Sequence, residues 1–322
     1  MIKKIGILTS GGDAPGMNPA IRSVVRTGLS YGLEVYGIYN GYKGLINEEI
    51  VPMDRSSVSD IVNLGGTILK TARLPEFKNL EIQKKAVEIL RKRGIEALVV
   101  IGGDGSYRGA LDLTKLGINC IGLPGTIDND IASTDFTIGF DTALNTIIDA
   151  VDKIRDTTES HSRCSIIEVM GNHCGDLALY SGIAEGAEII ITPDFRMSNE
   201  EVFSALRKMR EKDSNKRAIM IVSEKIYPDV HEFAKEIEAN TGFNTRATVL
   251  GYIQRGGAPS ANDRVLAGRM GSYAVDLLVN GKGGRCVGIR GINLVDYDIN
   301  EALKMERNPH KNMIELIKKT NK

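Results

Sequence analysis

Residues 98–130 read LVVIGGDGSYRGALDLTKLGINCIGLPGTIDND, and the fold follows from how that stretch divides. Leu98–Ile101 is an all-apolar run, too short for a helix, that breaks into Gly102-Gly103-Asp104-Gly105-Ser106. Helical spacing resumes from about Tyr107 to Leu116, and a second apolar run, Cys120–Leu123, stops at Pro124-Gly125. Two strands joined by a glycine turn and a helix make the unit from which parallel sheets are built, because parallel neighbours need a crossover. Strands with no polar alternation are buried on both faces.

The same unit recurs outward in both directions. Ile5–Leu8 is a short strand, Thr9 to Asn18 a glycine-containing turn, and Ala20–Leu29 a helix with apolar residues at 21, 24, 25 and 29. Leu33–Tyr39 is a strand, and helical patterns cover 56–64 and 79–93. The second ends in Arg91-Lys92-Arg93 before Gly94, as a helix C-terminus should. Downstream, helices are expected at Phe140–Arg155, 199–212, Val230–Ala239 and 262–279. Strands are expected at Ser165–Val169, Ile189–Thr192, Ala218–Val222, Thr248–Leu250 and Cys286–Ile289, before a charged helical tail. The fold class is therefore α/β, with mainly parallel sheets covered by helices on both faces.

Composition narrows the function. The 322 residues allow about two domains. Lys plus Arg equals Asp plus Glu at 41 each, so no charge excess argues for nucleic acid or an acidic membrane. The four cysteines, Cys120, Cys164, Cys174 and Cys286, form no CxxC pair, which fits a reducing compartment rather than a disulfide frame or structural zinc. MIKKIGILTSGG enters a short strand instead of a signal sequence, and no apolar run approaches membrane-spanning length. A cytoplasmic location is expected.

The chemistry sits where strands end. Gly11-Gly12 and Gly102-Gly103-Asp104-Gly105 are turns whose backbone can approach phosphates, and an Asp among glycines suits magnesium beside them. In the turn Thr126-Ile127-Asp128-Asn129-Asp130 two carboxylates stand two residues apart, the composition of either a solvated turn or a site. Arg73, Arg163, Arg246 and Arg255 lie at strand ends or in turns. Phosphoryl transfer needs this set: backbone donors, a divalent ion, a carboxylate to take a hydroxyl proton, and arginines for the anions. HExxH, GxSxG and a Cys–His pattern are missing from the sequence, and His161 and His173 lack metal-ligand spacing.

ILTSGGDAPGMN, VIGGDGS, GLPGTIDND and GYIQRGG resemble, in order and spacing, motifs of the bacterial ATP-dependent 6-phosphofructokinase family. The family converts fructose 6-phosphate and MgATP into fructose 1,6-bisphosphate. The resemblance implies two three-layer α/β/α domains, 1–138 plus 251–304 for ATP and 139–250 plus 305–322 for the sugar phosphate, with the active site in the cleft between them. It implies Asp128 as general base with Thr126 and Asp130 beside it, and Asp104 as the magnesium carboxylate. Gly12, Arg73, Gly103, Gly105 and Ser106 would line the nucleotide site. Met170, Gly171, Asn172, Glu224, Tyr252 and Arg255 would hold fructose 6-phosphate, with Arg163 and Arg246 from a neighbouring subunit of a homotetramer. An effector site for ADP or phosphoenolpyruvate would use Arg22, Arg26, Arg55, Asp60, Arg155, Glu188, Lys216 and Arg217.

Three departures stand out. Asn172 occupies a position where familiar members carry arginine, Tyr252 one where they carry histidine, and Asn215 one where lysine is expected. The nearest rival is the pyrophosphate-dependent relative, which carries an acidic residue in place of Gly105 and a lysine in place of Gly125. Glycine at both positions favours ATP. A non-catalytic regulatory relative is a further alternative, opposed by the presence of Asp104, Asp128 and Asp130.

Overall fold

A computed structural model describes residues 2–212, 217–308 and 310–320. Its strands, in chain order, are β1 (Lys4–Thr9), β2 (Glu34–Ile38), β3 (Ile50–Met53), β4 (Ala97–Gly102), β5 (Asn119–Thr126), β6 (Ile138–Gly139), β7 (Cys164–Val169), β8 (Ile189–Ile191), β9 (Ala218–Ser223), β10 (Thr245–Val249), β11 (Arg285–Arg290) and β12 (Asn293–Asp298). They form an 8-stranded sheet of order β12-β11-β5-β4-β1-β2-β3, with β6 joined to β5, and a 4-stranded sheet of order β10-β7-β9-β8. Pairing is parallel except at the two edges of the larger sheet, β2–β3 and β11–β12.

The chain divides into two compact units. One is Met1–Ile127, Ile131–Thr142 and Arg255–Arg307; the other is Asp128–Asp130, Ala143–Gln254 and Asn308–Lys322. Each has its own core. All six positions of β4 are buried in the first and all six of β9 in the second. Leu98, Val100, Leu90 and Leu113 are among the fully buried side chains of the first core, and Cys164, Met220, Val222 and Leu206 of the second. Burying each such aliphatic side chain contributes about 1.5–3 kcal/mol. The four cysteines are buried thiols, and burial pushes Cys120 and Cys164 up to about 12. No helix among the described residues is long and apolar enough to cross a membrane.

Three sequence expectations change. The run at 56–64 is a series of turns rather than a helix. Asp54 accepts from Ser56 Oγ, Ser57 N and Ser57 Oγ at 2.7–2.8 Å, which holds its carboxyl down to about 2 and commits the backbone to a turn. Strand β5 runs through Pro124 instead of stopping there. β11 pairs with β5 only at Ile121 and Gly122, so beyond them that side of the ladder asks nothing of the missing Pro124 N–H. Finally, the sheet's edge strands β3 and β12 had no sequence counterpart.

Candidate active site

In the first unit, β1 pairs with β2 on one side and β4 on the other. The crossovers from β1 and β4 lead to opposite sides, and such switch points open a crevice at the carboxyl ends of the strands. Both glycine turns lie there. Ser10 N donates to Ile101 O at 2.9 Å and Ser106 Oγ to Ser10 O at 3.0 Å, so the two turns are tied together. Gly102 is required for that contact, since a Cβ on it would sit 2.3 Å from Ser10 O. Thr71 Oγ1 donates to Gly11 O at 2.8 Å, which brings the segment carrying the exposed Arg73 to the first turn.

The helix after β4 begins at Asp104, three residues before the expected Tyr107. Gly103 is its N-cap residue, and both Ser106 N and Tyr107 N bond to Gly103 O. Asp104, Gly105 and Ser106 therefore belong to the first helical turn, whose backbone N–H groups form the positive end of the helix. A Cβ on Gly103 or Gly105 meets nothing within 4 Å, so the turn faces open space. Arg255 lies against the other loop, its Nη1 3.6 Å from where a Cβ on Gly12 would be.

In the second unit, the turn Asp128–Asp130 has a buried centre and half-buried flanks. Asn129 takes the left-handed conformation, φ 52°, which asparagine tolerates better than most residues. Its Nδ2 donates to Asp176 Oδ2 at 2.8 Å, and Cys174 Sγ lies 3.6 Å from its carbonyl oxygen. Asp176 opens the helix Asp176–Ala184 and is 2% exposed; His310 Nε2 lies 3.4 Å from the same oxygen. The sequence reading passed over Asn129 and Asp176. A left-handed-tolerant residue between two carboxylates was the available signal for the first.

Loops after β7, β9 and β10 meet at the sheet's carboxyl edge. Glu224 N donates to Val169 O at 2.7 Å, Leu250 N to Glu168 O at 3.1 Å, and Met170 N to Gln254 Oε1 at 3.1 Å. Gly171 at φ 137° and Asn172 at φ 57° turn the chain back, so that Asn172 N donates to Glu224 Oε1 at 2.7 Å. Met170, Gly171, Asn172 and Glu224 are thus brought together. Tyr252 is 79% exposed beside the buried Gln254. Burial, then the nearby Glu224, raises the Glu168 carboxyl above its ordinary range.

Arg163 and Arg246 are elsewhere. Arg163 precedes β7, and Arg246 pairs with Ser165 at the amino edge of the sheet. At about 3.3 Å per strand residue, Ser165 is roughly 16 Å from Met170 along β7. Arg246 Nη1 is engaged by Thr245 O at 2.8 Å and Glu238 at 3.7 Å. Neither arginine reaches the Met170–Asn172 turn along its own sheet.

The expected effector residues separate by unit. In the second, Arg155 donates to Glu185 Oε2 at 2.8 Å, Arg217 pairs with Glu159, and Arg217 Nη1 is 4.0 Å from Glu188. Burial first and Arg155 second push the Arg217 guanidinium down from its ordinary value. In the first, Arg22 and Arg26 lie one turn apart on the helix Met17–Ser30, and Arg55 and Asp60 are exposed in the 54–60 turns. Lys216 and Asn215 lie outside the described residues.

A family model for phosphofructokinase matches residues 4–278. This chain belongs to the phosphofructokinase family. Over 309 residues it is 60% identical to an ATP-dependent 6-phosphofructokinase of Vibrio cholerae, covering 96% of each chain. To that of Photobacterium profundum it is 58% identical over 320 residues, covering 99% of each. Among solved structures, phosphofructokinase from Saccharomyces cerevisiae matches with a TM-score of 0.87 and 35% identity, over 99% of this chain. The chain spans about half of that yeast chain, 47%. A pyrophosphate-dependent phosphofructokinase of Marinobacter aquaeolei shares the fold, TM-score 0.84, at 22% identity over 95% of this chain and 85% of its own.

The donor set of this phosphofructokinase suits a metal that arrives with its nucleotide. Among the described residues no three His, Cys, Asp or Glu side chains gather as a resident metal cage. Asp104 is one hard oxygen donor at a helix N-terminus beside glycine turns, and magnesium commonly takes one or two carboxylates plus substrate phosphates. Gly125 carries a second meaning here. A Cβ on it would lie 2.8 Å from Ile101 Cγ2 and 3.1 Å from Met17 Cε, so glycine at 125 is also a packing requirement of β5.

Proposed function

We propose that this phosphofructokinase transfers the γ-phosphoryl group of ATP to the 1-hydroxyl of fructose 6-phosphate, giving fructose 1,6-bisphosphate and ADP in the cytoplasm. The observation that carries the reading is the Asp128–Asp130 turn, pinned through Asn129 to Asp176, in the same unit as the Met170–Asn172 and Glu224 cluster. The identity to ATP-dependent relatives supports it. Asp128 accepts the hydroxyl proton as the oxygen attacks phosphorus, with Thr126 and Asp130 beside it. Gly12, Arg73, Gly103, Gly105 and Ser106 receive the nucleotide on the first helical turn and its neighbouring loop. Magnesium, held by Asp104 and the phosphates, would supply charge neutralisation.

Met170, Gly171, Asn172, Glu224, Tyr252 and Arg255 bind the sugar phosphate in this reading. Arg163 and Arg246, too far along their strands to serve their own turn, do so for a neighbouring subunit of a homotetramer. Arg22, Arg26, Arg55, Asp60, Arg155, Glu188, Lys216 and Arg217 serve an effector, ADP or phosphoenolpyruvate. The test is product formation by purified protein from fructose 6-phosphate with MgATP or with magnesium pyrophosphate. Turnover with ATP and at least about 100-fold less with pyrophosphate is expected. Turnover only with pyrophosphate, or with neither donor, overturns the assignment.

A further inference from the structure

Asn172 does not stand alone at its turn. Its backbone N–H is taken by Glu224, and its side-chain carbonyl accepts from Lys225 Nζ at 2.6 Å. Successive residues of an extended strand point to opposite sides, so Glu224 and Lys225 would ordinarily diverge. Lys225 instead takes a left-handed backbone, φ 65°, at a cost of order 1 kcal/mol for a side chain of this kind. That kink, just beyond the end of β9, turns both charged side chains onto one three-residue turn.

The charge of Lys225 is not spent within the protein. It is exposed, it bonds a neutral amide, and among the described residues it makes no ion pair. It also lines a cavity of about 510 Å³, shared with Glu168, Glu224, Asp229, His231 and Val249, off the carboxyl edge of the second sheet. Three carboxyl groups on that wall would repel a phosphate dianion. An ammonium group on a flexible four-carbon stem offsets them and can exchange an amide oxygen for a phosphate oxygen without moving the backbone.

We infer that Lys225 is an additional substrate-binding cation: Asn172, which brings no charge, parks its Nζ at the turn until fructose 6-phosphate arrives and takes it over. This rests on the reading of the Met170–Asn172 turn as the sugar-phosphate site. The experiment measures fructose 6-phosphate binding by calorimetry and steady-state kinetics with MgATP for wild type, Lys225→Met, Lys225→Arg and Lys225→Met/Asn172→Arg. Wild-type binding and turnover are the control; their absence refutes the site reading itself and leaves Lys225 without its ligand, overturning both.

With the control in hand, Lys225→Met should raise Kd and KM for fructose 6-phosphate by about 10–100-fold, the loss of one charge-assisted hydrogen bond. KM for ATP should stay within about 3-fold. Lys225→Arg should keep most of the affinity, and the double variant should recover at least about half of the lost free energy. Unchanged Kd and KM in Lys225→Met overturn the inference. So does a loss that neither Lys225→Arg nor the added Asn172→Arg restores, because that pattern marks a structural role.

Discussion

At the residue scale, glycines carry much of the site, for two different physical reasons. Gly102 and Gly125 are forced by packing: a Cβ would strike Ser10 O in one case and Ile101 in the other. Gly105 has no such constraint, because nothing lies within 4 Å of its would-be Cβ. In the proposed function its lack of a side chain leaves that space to the nucleotide. Gly105→Asp places a carboxylate in the first turn of a helix, which the helix dipole favours, so stability should hold within about 1 kcal/mol by urea unfolding. The same carboxylate should weaken ATP binding by at least about 10-fold, measured as Kd for MgATP. Unaltered ATP affinity would remove Gly105 from the nucleotide site. The family resemblance made both Gly105 and Gly125 evidence about the donor; the packing of Gly125 appears only when β4 and β5 are laid side by side.

At the scale of elements, one carboxylate joins three of them. Asp263, in the first turn of the helix Ala261–Val279, accepts from Gly139 N at 2.8 Å, Thr142 N at 2.8 Å and Thr142 Oγ1 at 2.5 Å. It so ties β6 and the start of the helix Phe140–Ser160 to its own helix. Burial outweighs those donors and pushes its carboxyl up to about 6 from 3.8. A raised carboxyl retains its proton in the folded state after the unfolded chain has lost its own. The folded state is therefore favoured most below about pH 4, and that advantage is lost as pH rises to about 6, a span worth about 3 kcal/mol. Asp263→Asn lacks this slope, though it costs about 1–3 kcal/mol by facing a donor with a donor. Urea unfolding of both proteins at pH 4.5 and 7 checks it: the wild-type advantage should be larger at pH 4.5. An advantage that grows toward pH 7 would contradict the burial argument. The sequence marked 262–279 as a helix from its spacing, but not this staple, because its partners lie 121 and 124 residues away.

For the whole molecule, strand and helix alternation was readable because buried parallel strands are continuous apolar runs; β4 and β9 are the clearest. The edge strands β3 and β12 were not. β3 carries Pro52 and two exposed centres, and β12 is half-buried after its exposed first residue, so neither shows a pattern distinct from a loop. The motif loops were legible, whereas the grouping of Asp128–Asp130 with the second unit was not, since contacts such as that of Asn129 with Asp176 join residues 47 apart in sequence. The proposed sharing of sites between subunits gives a further expectation. Arg163→Ser and Asp128→Asn, each inactive alone, should regain up to about one quarter of wild-type turnover when unfolded and refolded together, because paired subunits then rebuild some complete sites. No recovery in hybrids isolated by tag would place Arg163 outside the neighbour's site. The central claim, that Asp128 takes the proton, meets its most direct test in Asp128→Asn. Its kcat with fructose 6-phosphate and MgATP should fall about 10²–10⁴-fold while Kd for MgATP changes little; turnover near the wild-type rate would contradict the assignment.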